Sequence, residues 1–292
     1  IKMIQTIIEQ FPADLINDKV EFIFCPLVLQ LANERKENSV NDAETKADAC
    51  LVDAIFAFLK KVNEESFRDK VMSMLCKWLK VKKLRPVAIH TCAIAARVSN
   101  GAKLKNSGTF ESDFWPVIKS IIEKSSKKEE PKRSKLMLLR SSIQILLELY
   151  THDVISHSLI DTISPAVFGI VQRTVSHFVC SVGLNLINLS LAKKLKANKI
   201  DNIELLAESL ETTLQVLKRN DFQILQDLDT FSASLIKSVI LAIECIKQLA
   251  NSEVINQEKY QEVMEQFFQK LHEVAIKTPD QGERNASLAI QK

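Results

Sequence analysis

Between Pro86 and Ser99 the chain offers water almost nothing. Ala88, Cys92, Ala95 and Ser99 recur at three- and four-residue spacing and form a small-residue stripe. Val87, Thr91, Ile94 and Val98 form a second, mostly β-branched stripe about 100° away. Pro86 fits the first turn of a helix, where its missing N–H has no bond to lose. A helix apolar on two faces has to be covered on both. The pattern therefore predicts an inner helix, its small stripe admitting a neighbouring backbone and its branched stripe filling the gap opposite. The preceding segment, Phe67 to Lys80, keeps Val71, Leu75, Trp78 and Leu79 on one face and charges elsewhere. That predicts an amphipathic outer helix, antiparallel to the inner one across the short turn at 81–85.

The same plan recurs along the chain. Residues 22–34 read as an outer helix with Pro26 inside it, and 43–61 as an inner helix with Ala47, Cys50, Ala54 and Ala57. Residues 113–125, with Pro116 in their apolar opening, form the next outer helix, and 134–150 its partner. Residues 165–195 read as a fourth pair, and 202–218, 231–250 and 259–276 complete the array less regularly. Outer helices opening near 22, 67 and 113 are about 45 residues apart, within the ~40–47 of HEAT or armadillo repeats. Such hairpins cannot bury their faces alone and stack. The expected fold class is all-α, an α-solenoid of HEAT/armadillo-like helical hairpins, with residues 1–292 as one segment. The polar stretches 34–45 and 124–135 are expected to be exposed loops. Ile1 stands in mid-pattern, which suggests a fragment of a longer chain. No apolar run is expected to approach the roughly 18 residues that span a bilayer.

Composition agrees. Five glycines and seven prolines in 292 residues, 46% of them hydrophobic, suit long helices joined by short loops. The six cysteines, at 25, 50, 76, 92, 180 and 245, have no metal-ligand spacing and fall within helical patterns. They are expected to be reduced core thiols, without zinc or disulfides. Glycines at 101, 108, 169, 183 and 282 build no phosphate-cradling loop, and no GxSxG or HExxH motif occurs. His152, Asp153 and His157 bracket a connector and read as a surface cluster rather than a metal site. Trp78, Trp115 and the 14 phenylalanines lie on core stripes rather than on a shared face where bases would stack. The chain is thus expected to be non-enzymatic, with no catalytic residue, cofactor, metal or small-molecule substrate.

Charge is what remains. Lys80, Lys82, Lys83 and Arg85 give +4 in one short turn. Residues 124–135 also net +4, from Lys124, Lys127, Lys128, Lys132, Arg133 and Lys135 against Glu129 and Glu130. Lys193, Lys194, Lys196 and Lys199 add a third +4. The chain as a whole carries only +3, so everything else nets −9. One basic run keeps a loop solvated. Three runs, two of them at equivalent turns, are candidates for contact with an RNA backbone.

The order of elements resembles the C-terminal part of the giant HEAT-repeat subunit of the small-subunit processome, the down-regulated-in-metastasis family. Phe24, Pro26, Leu27, Val28, Leu29 and Leu31 match an outer-helix element of that family, and Trp78 matches a downstream tryptophan-containing helix. Val171 to Leu189 follows a third element loosely, departing at Phe168–Gly169 and at Phe178–Ser181. The resemblance implies a nucleolar scaffold that embraces pre-ribosomal RNA and processome assembly proteins, without catalytic residues or a membrane. A nuclear transport receptor is the competing reading. Those receptors are usually strongly acidic, unlike this chain.

Overall fold

The computed structural model describes residues 2–37, 46–127, 136–174 and 176–197, with isolated helical positions at 212, 240, 241, 244, 265 and 269. The helices expected at 202–218, 231–250 and 259–276, Cys245, His272 and most of the two expected loops lie outside the described residues. Among those described the fold is all-α, without strands. The chain divides into two compact units, one of Ile1–Ser125 with Pro131–Ser156, the other of Ser126–Glu130 with His157–Lys292.

The first unit runs through α1 (Lys2–Gln10), α2 (Ala13–Asp18), α3 (Val20–Glu37) and α4 (Lys46–Lys61). Then α5 (Glu64–Ser66), a π-helical segment (Phe67–Met72) and α6 (Ser73–Lys80) follow without a break. Next come α7 (Arg85–Val98), α8 (Ala102–Ser107), a second π-helical segment (Phe110–Phe114), α9 (Trp115–Ser126) and α10 (Leu136–Thr151). Helix α3 continues to Glu37, so the loop expected from residue 34 begins later. Helix α9 likewise carries helix through Ser126 where a loop was expected from 124.

Helix α7 organises this unit. Nine of its residues are buried, among them Ala88, Cys92 and Ala95 on the small stripe and Val87, Thr91 and Ile94 on the branched one. It packs against α4 and α10 as well as against its hairpin partner α6. Both faces are covered, as the pattern requires. Across the α7–α10 contact, His90 Nδ1 and Ser141 Oγ lie 3.0 Å apart. On the other layer α3 meets α4 and the first π-helical segment, while α6 meets the second. Phe24 of α3 ties three helices together. Its ring stacks on Phe58 of α4 at 5.4 Å and on Trp78 of α6 at 5.9 Å between centroids.

Pro26 and Pro116 sit where a helix can lose a bond to water. Pro26 is exposed, so the Phe22 carbonyl it leaves without a donor is on the solvent side of α3. Pro116 follows the second π-helical turn. Having no N–H for Ser112, it favours the wider bonding seen there, in which Trp115 N donates to the Phe110 carbonyl. Gly101 begins the connection to α8 at φ 78°, a left-handed conformation natural to glycine. A methyl group at Gly101 would also stand 2.7 Å from Val154 Cγ2.

The second unit contains α11 (His157–Arg173) and α12 (His177–Lys196), which pack together. Helix α11 starts eight residues before Pro165, which the sequence placed at a helix start. Ser176 caps α12, its hydroxyl accepting from Val179 N at 3.4 Å. At the crossing, a Cβ on Gly183 would run into the Val171 side chain, which packs directly on the α12 backbone there. Contrary to expectation, Phe178–Lys196 is long and apolar enough to cross a membrane by length and composition; half of it is buried inside the protein, as in a core helix. Its asparagines and serines break the run to the eye but carry no charge.

Two substitutions check this packing. Ala95→Leu forces a larger side chain into a fully buried site and should cost about 1–3 kcal/mol in a urea melt. An unchanged midpoint would mean that α7 is not enclosed. Gly101→Ala combines left-handed strain with the approach of Val154 and should cost about 2 kcal/mol or more. A loss below about 0.5 kcal/mol would show that the turn can rearrange.

Candidate nucleic-acid interface

Basic residues gather where helices end. Lys77 and Lys80 stand in the last turn of α6, Lys124 in that of α9, and Lys193, Lys194 and Lys196 in that of α12. Free carbonyls and the negative pole of the helix dipole favour cations at such places. So each expected basic run is anchored to the same local feature, a helix C-terminus.

The runs differ in what their charges do. In the first, Lys80, Lys82 and Lys83 are exposed. Arg85 is half-buried and turns back, its Nε donating to the Leu79 carbonyl at 2.9 Å, which closes the end of α6. In the second, Lys124 and Lys127 are exposed, and Lys128, Lys132, Arg133 and Lys135 lie outside the described residues. In the third, Lys196 is exposed, Lys193 is half-buried, and Lys199 lies outside the described residues. Lys194 Nζ is 2.9 Å from Asp161 Oδ1, and the lysine side chain keeps only 11% of its surface. That pair joins α12 to α11. The exposed set is therefore Lys80, Lys82, Lys83, Lys124, Lys127 and Lys196.

Other cations bind carbonyls across the chain, and no pattern in the sequence marks them. Lys61 donates to the carbonyls of Glu9 and Phe11 at the end of α1, the second at 2.9 Å. Lys70 Nζ reaches the Asn17 carbonyl in α2 at 2.7 Å. Lys103 of α8 donates to the carbonyls of Leu59 and Val62 at the end of α4. It also lies 5.8 Å from the centroid of the Phe67 ring. Its partners stand 41 and 44 residues away, too far for any local signal. Burial holds the Lys103 ammonium below its ordinary pKa, and Glu64 opposes that shift.

The remaining chemistry is sparse. Cys25, Cys50, Cys76, Cys92 and Cys180 are not joined in disulfides, and Cys180 Sγ donates to the Val171 carbonyl at 3.9 Å. Burial pushes the Cys92 thiol far up and raises that of Cys76 as well, so neither is an activated nucleophile. Among the described residues no group of three or more histidines, cysteines and carboxylates is placed to hold a metal. His152 opens the α10–α11 connector, Asp153 takes a left-handed φ of 56°, and His157 is the first residue of α11.

Compared with family models, with curated proteins and with solved structures, the chain matches none.

Lys103 yields a test with a definite sign. Lys103→Met leaves two helix-end carbonyls without their donor and should cost about 1–3 kcal/mol at neutral pH. The folded pKa lies below the unfolded value, so the unfolded chain holds the proton more tightly. Wild-type stability from this group therefore rises as pH climbs from the depressed pKa towards 10.5. Urea melts at pH 7, 9 and 10.5 should show the gap between wild type and variant widening. A gap that narrows with pH would contradict the buried-ammonium assignment.

Proposed function

We propose that the chain is a segment of an α-solenoid of HEAT-like hairpins, serving as a non-enzymatic scaffold in the nucleolar small-subunit processome. It would hold pre-ribosomal RNA and assembly proteins. The observation that carries the architectural half is the enclosure of α7 between α4 and α10, with α6 as its hairpin partner. A stack of hairpins needs each inner helix to touch the one before and the one after. The resemblance to the processome subunit is supported by the Phe24–Trp78 stack, because two separate elements that carry it meet in the core.

The RNA half rests on lysines that the fold leaves to solvent. Lys80, Lys82 and Lys83 crowd one turn, and Lys124 and Lys127 stand together at the end of α9. Clusters of this kind suit phosphates rather than base edges, since an ammonium is a point charge and neither run contains an aromatic residue. Arg85 and Lys194 are left out of the proposed contact set, because carbonyl capping and the Asp161 pair already engage them.

Replacing Lys80, Lys82, Lys83, Lys124 and Lys127 with glutamine tests the reading directly. Binding to single-stranded pre-ribosomal RNA fragments should weaken at every sequence. If each lysine neutralises one phosphate, the slope of log K against log salt should flatten by about 3.5, from ~0.7 per contact. Equal affinity and equal slope in wild type and variant would leave these lysines as helix-end charges and sink the RNA-binding proposal.

A further inference from the structure

The sequence contains one Asn-Gly pair, Asn100–Gly101, and it forms the turn between α7 and α8. In an open chain this is the most labile setting for an asparagine. Glycine has no side chain to shield its amide nitrogen, which is free to attack the carboxamide before it.

Here the two partners in that reaction are separated by the fold. Asn100 is exposed and takes a left-handed φ of 50°, whereas Gly101 is buried. The Gly101 amide donates to the Ala96 carbonyl at 2.8 Å, which ends α7 with a Schellman-type bond. The Gly101 carbonyl accepts from Leu104 N at 3.1 Å and Lys105 N at 3.0 Å, the first bonds of α8. Both sides of this one residue are therefore engaged. Helix α10 ends in the same way, with Asp153 at φ 56° and Val154 N donating to the Leu149 carbonyl at 2.9 Å. Val154 and Leu149 occupy the space where a Cβ on Gly101 would stand. Two like turns thus interlock, and Lys103 ties the following helix to the end of α4.

We infer that Asn100 is a site of spontaneous deamidation gated by this turn, silent while the turn is closed and reactive once it opens. Opening frees the Gly101 amide from Ala96. Gly101 N then gives its proton to solvent base, forms a bond to Asn100 Cγ and expels Nδ2 as ammonia. Water opens the cyclic imide at either carbonyl. Attack at Cγ leaves aspartate, and attack at the main-chain carbonyl leaves isoaspartate. Either product puts a carboxylate at the C-terminal end of α7, where the helix dipole opposes it. Isoaspartate also adds one carbon to the backbone between Asn100 and Gly101, so Gly101 no longer lines up with Ala96 and Val154. Refolding does not undo the change, and the modified turn keeps a covalent record of having opened.

Mass spectrometry of the tryptic peptide spanning 98–103 follows the reaction in the 292-residue chain at mildly alkaline pH. Conversion in the folded chain should be at least tenfold slower than in guanidinium chloride, and at least tenfold slower than in a free peptide of that sequence. Equal rates would overturn the gate. The product should contain isoaspartate as well as aspartate. Aspartate alone would mean direct hydrolysis of the carboxamide and would remove Gly101 from the reaction. Chain converted in denaturant and diluted back should melt lower than chain carried through the same steps briefly. Asn100→Gly keeps a residue suited to left-handed backbone but has no carboxamide, and it should show no such loss. A loss shared by Asn100→Gly would place the damage elsewhere and overturn the role given to this turn.

Discussion

Helix α7 has no polar face to give to water, and the first unit is arranged around that constraint. Nine buried residues on fourteen positions require neighbours on both sides, so α4 and α10 must both approach it. Small residues make the approach possible. Ala88, Cys92 and Ala95 keep the helix thin on one side, and Ser141 and Ser142 do the same for α10. The stacked rings of Phe24, Phe58 and Trp78 then fasten the outer helices α3 and α6 to the inner helix α4. Burial of this kind is non-directional, and it fixes which helices touch before it fixes how their ends are finished.

Finishing the ends falls to cations. A chain of short helices has many C-termini, each with carbonyls that no intrahelical N–H can reach. Lys61, Lys70, Arg85 and Lys103 each reach such carbonyls, three of them across more than forty residues of sequence. Long flexible stems suit lysine to this task, because the ammonium can cross from one helix to the end of another while its methylenes lie on apolar surface. Lys103 shows the cost. Its charge is held where burial opposes it, and two carbonyls and the face of Phe67 offset that opposition. A mild net charge thus conceals a division of labour, with some cations spent inside the fold and others left at its surface.

That division explains what could be read from the sequence. The α7 helix was legible because its evidence is local: two apolar stripes and a proline at the right turn. The hairpin of α6 and α7 followed for the same reason. Helix α11 was misread because Pro165 looks like a start signal. It sits instead on the exposed side of a helix that had begun at His157, where the Asp161 carbonyl it frees can be hydrated. The π-helical turns and α8 were not legible, since they are local adjustments to packing against other segments. Nor was the role of Lys103, whose partners are distant in sequence. Among the candidate site residues, the positions of the basic runs at helix ends were readable. The withdrawal of Arg85 and Lys194 into capping and pairing depends on geometry that composition does not carry.

The same distinction governs any functional reading of the surface. A charge at a helix end satisfies the dipole whether or not a ligand is present, so clustering alone does not mark a binding site. What separates Lys80, Lys82 and Lys83 from Arg85 is that the fold engages only the arginine through its carbonyl contact and leaves those lysines exposed. Apolar groups differ, because water penalises their exposure and a fold gains by burying them. The structure has no use for Phe22 in water, because its burial elsewhere in the chain would be worth roughly 2 kcal/mol. Residues that a fold can explain are weak evidence of function. Those it leaves in an unfavourable place, as it leaves Phe22 at 78% exposure, are what the described fold does not explain.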